Sequence, residues 1–293
     1  MKEIDNVLKK HDLRTNYYES KGHVVIVNSN KGKLVLKKKN NNDIYDYLDS
    51  RSFNYYPKTI YDDDYMIMEY LEDSKIPDDQ KILDLINLVS LLHSKTTYFK
   101  NVDIDEYKKN YEDLKGNINY LMNYYDDLMT IIESKVYMSP SELLLARNIS
   151  IIFNALNYTN NKLDDWYNGV KDKNRRRYVV IHNNLDLNHF VRNKSSYLLS
   201  WDRAKIDIPI YDLYILYKKY AINFDFKYLL QKYEKEYPLL EEEKNLFYIL
   251  ISIPDKIEFT DNIYNDCVKI EKMLDYMYVT ESLVSPDNSK NTK

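Results

Sequence analysis

Residues 178–217 read YVVIHNNLDLNHFVRNKSSYLLSWDRAKIDIPIYDLYILY, and this stretch decides how the rest of the chain is understood. Tyr178, Val179, Val180 and Ile181 form a continuous apolar run of the kind found in a strand buried on both faces. It enters a polar loop from His182 to His189. A second apolar run, Tyr197-Leu198-Leu199, ends at Ser200-Trp201-Asp202. An extended segment through Pro209 then leads to a helix that begins near Tyr211. Strand, polar loop, strand and acidic turn bring several polar side chains to one end of a buried sheet.

Upstream, residues 1–72 read as a small β-rich lobe. Residues 17–27 resemble a hairpin tightened at Lys21-Gly22, the turn 28–32 follows, and Lys33-Leu34-Val35-Leu36-Lys37 is a third strand. Residues 42–50 have helical spacing, with Ile44, Tyr47 and Leu48 on one side. Tyr61 precedes the turn Asp62-Asp63-Asp64 and an apolar strand from Tyr65 to Tyr70. From residue 73 to 285 the pattern is mostly helical, with helices expected at 77–95, 105–134, 139–170, 211–220, 226–237, 239–253 and 257–282. Ser139-Pro140-Ser141-Glu142 is a strong helix start, and Pro209, Pro238 and Pro254 act as breakers. Residues 286–293 read as a polar, disordered tail.

Composition limits the function classes. A formal net charge of −4 argues against a nucleic-acid partner, which usually demands a basic face. The single cysteine, Cys267, excludes an internal disulfide and fits a reducing cytoplasm. No run of 18 apolar residues is present, so no membrane span is expected. The 31 tyrosines carry little functional weight, because tyrosine serves in cores and on surfaces alike.

The motifs support a named resemblance. His182-Asn183-Asn184-Leu185-Asp186-Leu187-Asn188-His189 is similar to the H-G-D-x-x-x-x-N loop of the aminoglycoside phosphotransferases and choline kinases. Leu198-Leu199-Ser200-Trp201-Asp202 resembles their apolar-apolar-Asp-aromatic-acid turn, and Pro209-Ile210-Tyr211-Asp212-Leu213 their Pro-x-x-Asp-Leu helix start. Leu34-Val35-Leu36-Lys37 looks like the strand that carries the nucleotide lysine. Met66-Ile67-Met68-Glu69-Tyr70-Leu71 looks like the hinge, and Leu91-Leu92-His93 is similar to a Leu-x-x-Leu-His helix end. Asn188-His189-Phe190-Val191-Arg192 resembles the His-Asn-Phe-Leu-Arg loop of bacterial kinase-like spore-coat proteins. The resemblance implies an α+β, bilobal, protein-kinase-like fold, with a small antiparallel-sheet N-lobe and a mainly helical C-lobe. It also implies that ATP and Mg are the ligands if activity is retained, with Lys37, Glu69 and Tyr70 on the nucleotide side.

The same alignment shows replaced chemistry. Phosphoryl transfer needs a carboxylate to orient or deprotonate the acceptor, and oxygen ligands for magnesium. The base position holds Asn184, an amide. The metal positions hold His189, whose nitrogen suits hard magnesium poorly, and Ser200, which is neutral and short. Asp186 and Asp202 are possible surrogates, although Asp186 also reads as a loop-capping carboxylate. His182 and Asp212 read as scaffold residues. The carboxylate partner of Lys37 is expected near Asn41, with Asp43 and Asp46 as candidates; a solvated Lys37-Lys38-Lys39 run is the plainer alternative. Arg175-Arg176-Arg177 reads as a solvated turn rather than a phosphate clamp.

Two expectations follow. One is a kinase-like pseudoenzyme that binds a protein or small-molecule ligand in the interlobe cleft, in a spore coat or envelope by family analogy. The other is a divergent phosphotransferase that acts on an alcohol group through Asp186 or Asp202. Replacement at all three positions favours the first.

Overall fold

Alternation along the third strand sets the geometry of the small lobe: Leu34 and Leu36 are buried, while Val35 and Lys37 point to the opposite face. The computed structural model describes residues 2–22, 24–39, 44–62 and 65–285. Helix α1 (Lys2–Lys10) precedes strands β1 (Thr15–Lys21), β2 (Val24–Ser29) and β3 (Gly32–Lys38). Helix α2 (Ile44–Ser50) and strands β4 (Thr59–Asp62) and β5 (Tyr65–Glu69) follow. The sheet is antiparallel and five-stranded, in the order β1-β2-β3-β5-β4. Leu8 and Leu13 pack beside Leu34, Leu36 and Ile67, so α1 covers one face. Lys37, opposite Met66 in the register, therefore faces the rest of the molecule. Gly22 (φ 59°) and Gly32 (φ 101°) occupy left-handed backbone where the chain reverses, which is where glycine is needed.

The larger part contains α3 (Asp78–Thr96), β6 (Tyr98–Asn101), α4 (Ile104–Glu133), α5 (Pro140–Val170) and β7 (Arg175–Ile181). Then come β8 (Phe190–Arg192), β9 (Ser196–Leu198), β10 (Lys205–Asp207), α6 (Ile210–Tyr220), α7 (Phe226–Glu236), α8 (Glu241–Ser252) and α9 (Ile263–Val284). The protein is thus α+β, with a small antiparallel sheet followed by a large helical part. Helix α5 starts on the expected capping box: Glu142 N donates to Ser139 Oγ (3.3 Å) and Ser139 N to Glu142 Oε2 (2.8 Å). Helix α9 starts at Ile263 rather than at residue 257. Asp266 accepts bonds from Thr260 N (2.7 Å) and Thr260 Oγ1 (2.9 Å), and Asn262 caps Asn265 N (3.0 Å), so the preceding segment stays outside the helix.

Strand β7 is the buried axis of this part. Val179, Val180 and Ile181 have no exposed surface, and β6 and β10 pair with it on either side. One large apolar cluster runs from α2 and Phe53 through β7 to α9. Trp201 lies edge-on to Phe53 and Tyr56, which joins the acidic turn to the segment after α2.

The Arg175-Arg176-Arg177 run is not a solvated turn; it opens β7. Arg177 and Glu243 are both buried and form a bidentate pair, while Arg177 also donates to Pro238 O (2.9 Å) and stacks over Tyr237. Arg176 reaches Glu106 (3.1 Å). Removing one partner of a buried pair strands the other charge. Arg177→Met is therefore expected to cost about 3–5 kcal/mol of stability. Arg177→Met with Glu243→Leu should recover much of that loss in urea denaturation.

Candidate functional site

The site is built on one buried carboxylate. Asp212, in the first turn of α6, has no exposed surface. Its oxygens accept from His182 N (2.8 Å), Asn183 N (2.7 Å) and His93 Nε2 (3.2 Å). A carboxylate only accepts, so the His93 proton lies on Nε2, and its Nδ1 accepts from the Tyr233 hydroxyl (2.6 Å). The first amides of the polar loop are thereby fixed to α6, and α6 to α3 and α7. Asn183 adopts left-handed backbone (φ 56°), a conformation asparagine tolerates, and its side chain donates to Arg203 O (3.1 Å).

His182 is fully buried and donates Nε2–H to Leu199 O (2.7 Å), which ties the loop to the strand before the acidic turn. Burial pushes its pKa down, so the ring is held neutral. His189 donates Nδ1–H to Asn184 O (2.8 Å), closing the loop on itself, and Leu199 N donates to His189 O (2.8 Å). Ser200 is also left-handed (φ 63°) without being glycine or asparagine. Such a residue costs roughly 1 kcal/mol or more, and the surrounding contacts hold it there. Trp201 donates Nε1–H to Leu198 O (2.8 Å) and packs edge-on against His182.

The acidic side chains engage different parts of the molecule. Asp186 caps the short 3-10 turn Leu187–His189 through Asn188 N (2.9 Å). It also accepts from Lys219 Nζ (3.0 Å) and the Tyr220 hydroxyl (3.2 Å) at the end of α6. Burial acts to raise its pKa, but the Asn188 amide and Lys219 outweigh it and hold the carboxyl below the usual aspartate range. Asp202 forms an ion pair with Lys37 of β3. Tyr45 on α2 lies close enough to feel that carboxylate; burial first, then Asp202, pushes its phenol up. Lys37 thus meets an acid from the turn 165 positions away, whereas Asp46 is exposed. Asn41 and Asp43, also considered as partners, lie outside the described residues.

The hinge residues are engaged locally. Glu69 N donates to Lys58 O (3.1 Å) and its carboxylate accepts from Lys58 N (3.0 Å). Tyr70 N donates to Lys33 O (3.3 Å), and Lys33 Nζ stands 3.8 Å over the Tyr70 ring. The structure therefore brings His182, Asn183, Asn184, His189, Ser200 and Asp212 into one loop frame and joins Asp202 to Lys37. It directs Asp186 to α6 and keeps Glu69 and Tyr70 at the end of β5. Sequence reasoning missed Tyr45, Lys219 and Tyr220. Nothing in local spacing marks them, because they act across folded contacts. Among the described residues, no group of three or more His, Cys, Asp or Glu side chains is arranged to hold a metal ion.

No protein-family model matches the sequence, and no curated protein matches it. Solved structures do resemble it in fold. An aminoglycoside phosphotransferase from Alicyclobacillus acidocaldarius superposes with a TM-score of 0.66 at 10% identity, covering 95% of this chain and 94% of that one. Spectinomycin phosphotransferase in its AMP-bound complex superposes with a TM-score of 0.51 at 11% identity, covering 98% of this chain and 96% of that one. The fold is that of the kinase-like aminoglycoside phosphotransferases.

The lowered pKa of Asp186 has a directional consequence. Its contribution to stability is present above the ordinary aspartate pKa and is lost as pH falls through the folded-state value. Asp186→Asn is therefore expected to destabilise the protein at pH 7, with the gap from wild type closing on acidification. Denaturant midpoints measured from pH 7 to pH 2 check this. A gap that is constant with pH would contradict it.

Proposed function

We propose that this chain is a kinase-fold binding protein that does not catalyse phosphoryl transfer. The observation that carries the reading is the Lys37–Asp202 ion pair. A lysine that would meet phosphate, and a carboxylate beside the metal position, neutralise one another. The rest of the donor set fits magnesium-ATP poorly. Ser200 offers a neutral hydroxyl, His189 a nitrogen, and Asn184 an amide that cannot accept a proton near neutral pH. Asp186 would have to leave Lys219 and Tyr220 to act as a surrogate.

The backbone frame is nonetheless built with care. Asp212, His93 and His182 are buried and tied together, which supports a role for the loop's shape. On this reading the interlobe cleft takes a small molecule or a protein segment. The ending of the loop, Asn188-His189-Phe190-Val191-Arg192, points to a spore-coat or envelope assembly as the setting. The spectinomycin phosphotransferase neighbour binds AMP, so adenine nucleotides are the first ligands to test.

Thermal-shift measurements with ATP, with and without magnesium, belong beside ADP-release assays over a panel of hydroxylated acceptors. Wild type should give no magnesium-dependent shift and no acceptor-dependent ADP. The variant Asn184→Asp/His189→Asn/Ser200→Asp should gain magnesium-dependent stabilisation, about 2.7 kcal/mol at a ligand concentration 100 times Kd. Magnesium-dependent turnover by wild type would overturn the proposal and establish a phosphotransferase.

A further inference from the structure

A cavity of about 230 Å³, open to the surface beside Asn154 and Glu281, lies between α5, the end of α8 and α9. None of its lining residues belongs to the loop and turn described above. Its walls are largely apolar, from Ile151 and Ala155 on one side to Met277 and Val284 on the other. Two hydroxyls in this wall are buried without any hydrogen-bond partner: Tyr158 OH and Ser252 Oγ. Ser252 is only 2% exposed, and burial pushes the Tyr158 phenol up to about 12, so both groups are neutral donors. By contrast Thr280, also in the wall, is committed to Tyr276 O (2.7 Å) and the Tyr217 hydroxyl (2.9 Å).

Buried polar atoms are nearly always bonded, because leaving one unpaired forfeits its hydration. Among the described residues four buried side-chain atoms have no such partner, and two of them meet in this one cavity. We propose that the cavity is a binding site for a neutral, single-ring amphipathic molecule whose hydroxyl bonds Tyr158 and Ser252. The size fits: a cavity of about 150 Å³ admits benzene, so this one holds roughly ten non-hydrogen atoms. Met277 supplies a sulfur that packs well against a ring. Glu281 is the sole charged residue in the lining and disfavours an anionic ligand. The site is independent of whether the interlobe cleft binds a nucleotide.

The full chain is titrated with 4-methylphenol and with 1,4-dimethylbenzene, which has the same shape without the hydroxyl. Binding is read by thermal shift and calorimetry. For wild type, 4-methylphenol raises Tm saturably and binds at least fivefold more tightly than the hydrocarbon. Tyr158→Phe/Ser252→Ala abolishes that preference while still admitting both rings, and Ala155→Leu fills the cavity and removes binding of both. The proposal is overturned if wild type shows no saturable shift, as when water alone occupies the cavity. It is equally overturned if the preference survives in Tyr158→Phe/Ser252→Ala, or if folded Ala155→Leu binds as wild type does. Should Ala155→Leu fail to fold, the double variant decides the matter.

Discussion

Asp212 carries a carboxylate into a place with no access to solvent, so its burial must be offset by donors on the spot. The loop amides of His182 and Asn183 supply two, and His93 a third. The first turn of α6 adds the favourable end of a helix dipole. Together these bonds tie the polar loop and α3 to the same point on α6. The polar loop cannot drift from α6, α3 cannot slide past it, and Tyr233 extends the chain of contacts to α7. His182 then passes the constraint to Leu199 and hence to the turn at Ser200. The left-handed backbone at Asn183 and Ser200 persists because this network over-determines it.

On that frame the charged groups are spent internally. Lys219 and Tyr220 hold Asp186 at the end of α6, and Lys37 holds Asp202 across the two parts of the molecule. An ion pair between partly buried groups satisfies both charges without a ligand. It also links β3 to the acidic turn, which favours one arrangement of the small sheet over the helical part. The fold of a phosphotransferase can in this way serve as a shaped cleft, since a fold does not by itself dictate a function.

Much of the architecture was legible because it rests on long, repetitive signals. The apolar run from Tyr178 to Ile181 announced a buried strand, and Ser139 to Glu142 announced the start of α5. Strands β6, β8 and β10 were not legible, since three or four residues show no alternation that distinguishes them from loop. Arg177 looked solvated because its partner Glu243 is 66 positions away and local sequence carries no trace of the pairing. The site divides in the same manner. Motif spacing located Asn184, His189, Ser200 and Asp212 along the chain. Which lysine meets which carboxylate depends on the packing of α6 and β3, and no local pattern encodes that.

In the proposed reading, the loop and turn retain the frame of a metal–nucleotide site without its ligand set. Crystals grown with ADP and manganese test it directly, because the anomalous signal locates the metal independently of any assumed chemistry. On that reading no manganese is bound by Asp186, His189, Ser200 or Asp202, and the Lys37–Asp202 pair stays intact. A manganese peak coordinated by Asp186 or Asp202 together with the nucleotide phosphates would contradict it.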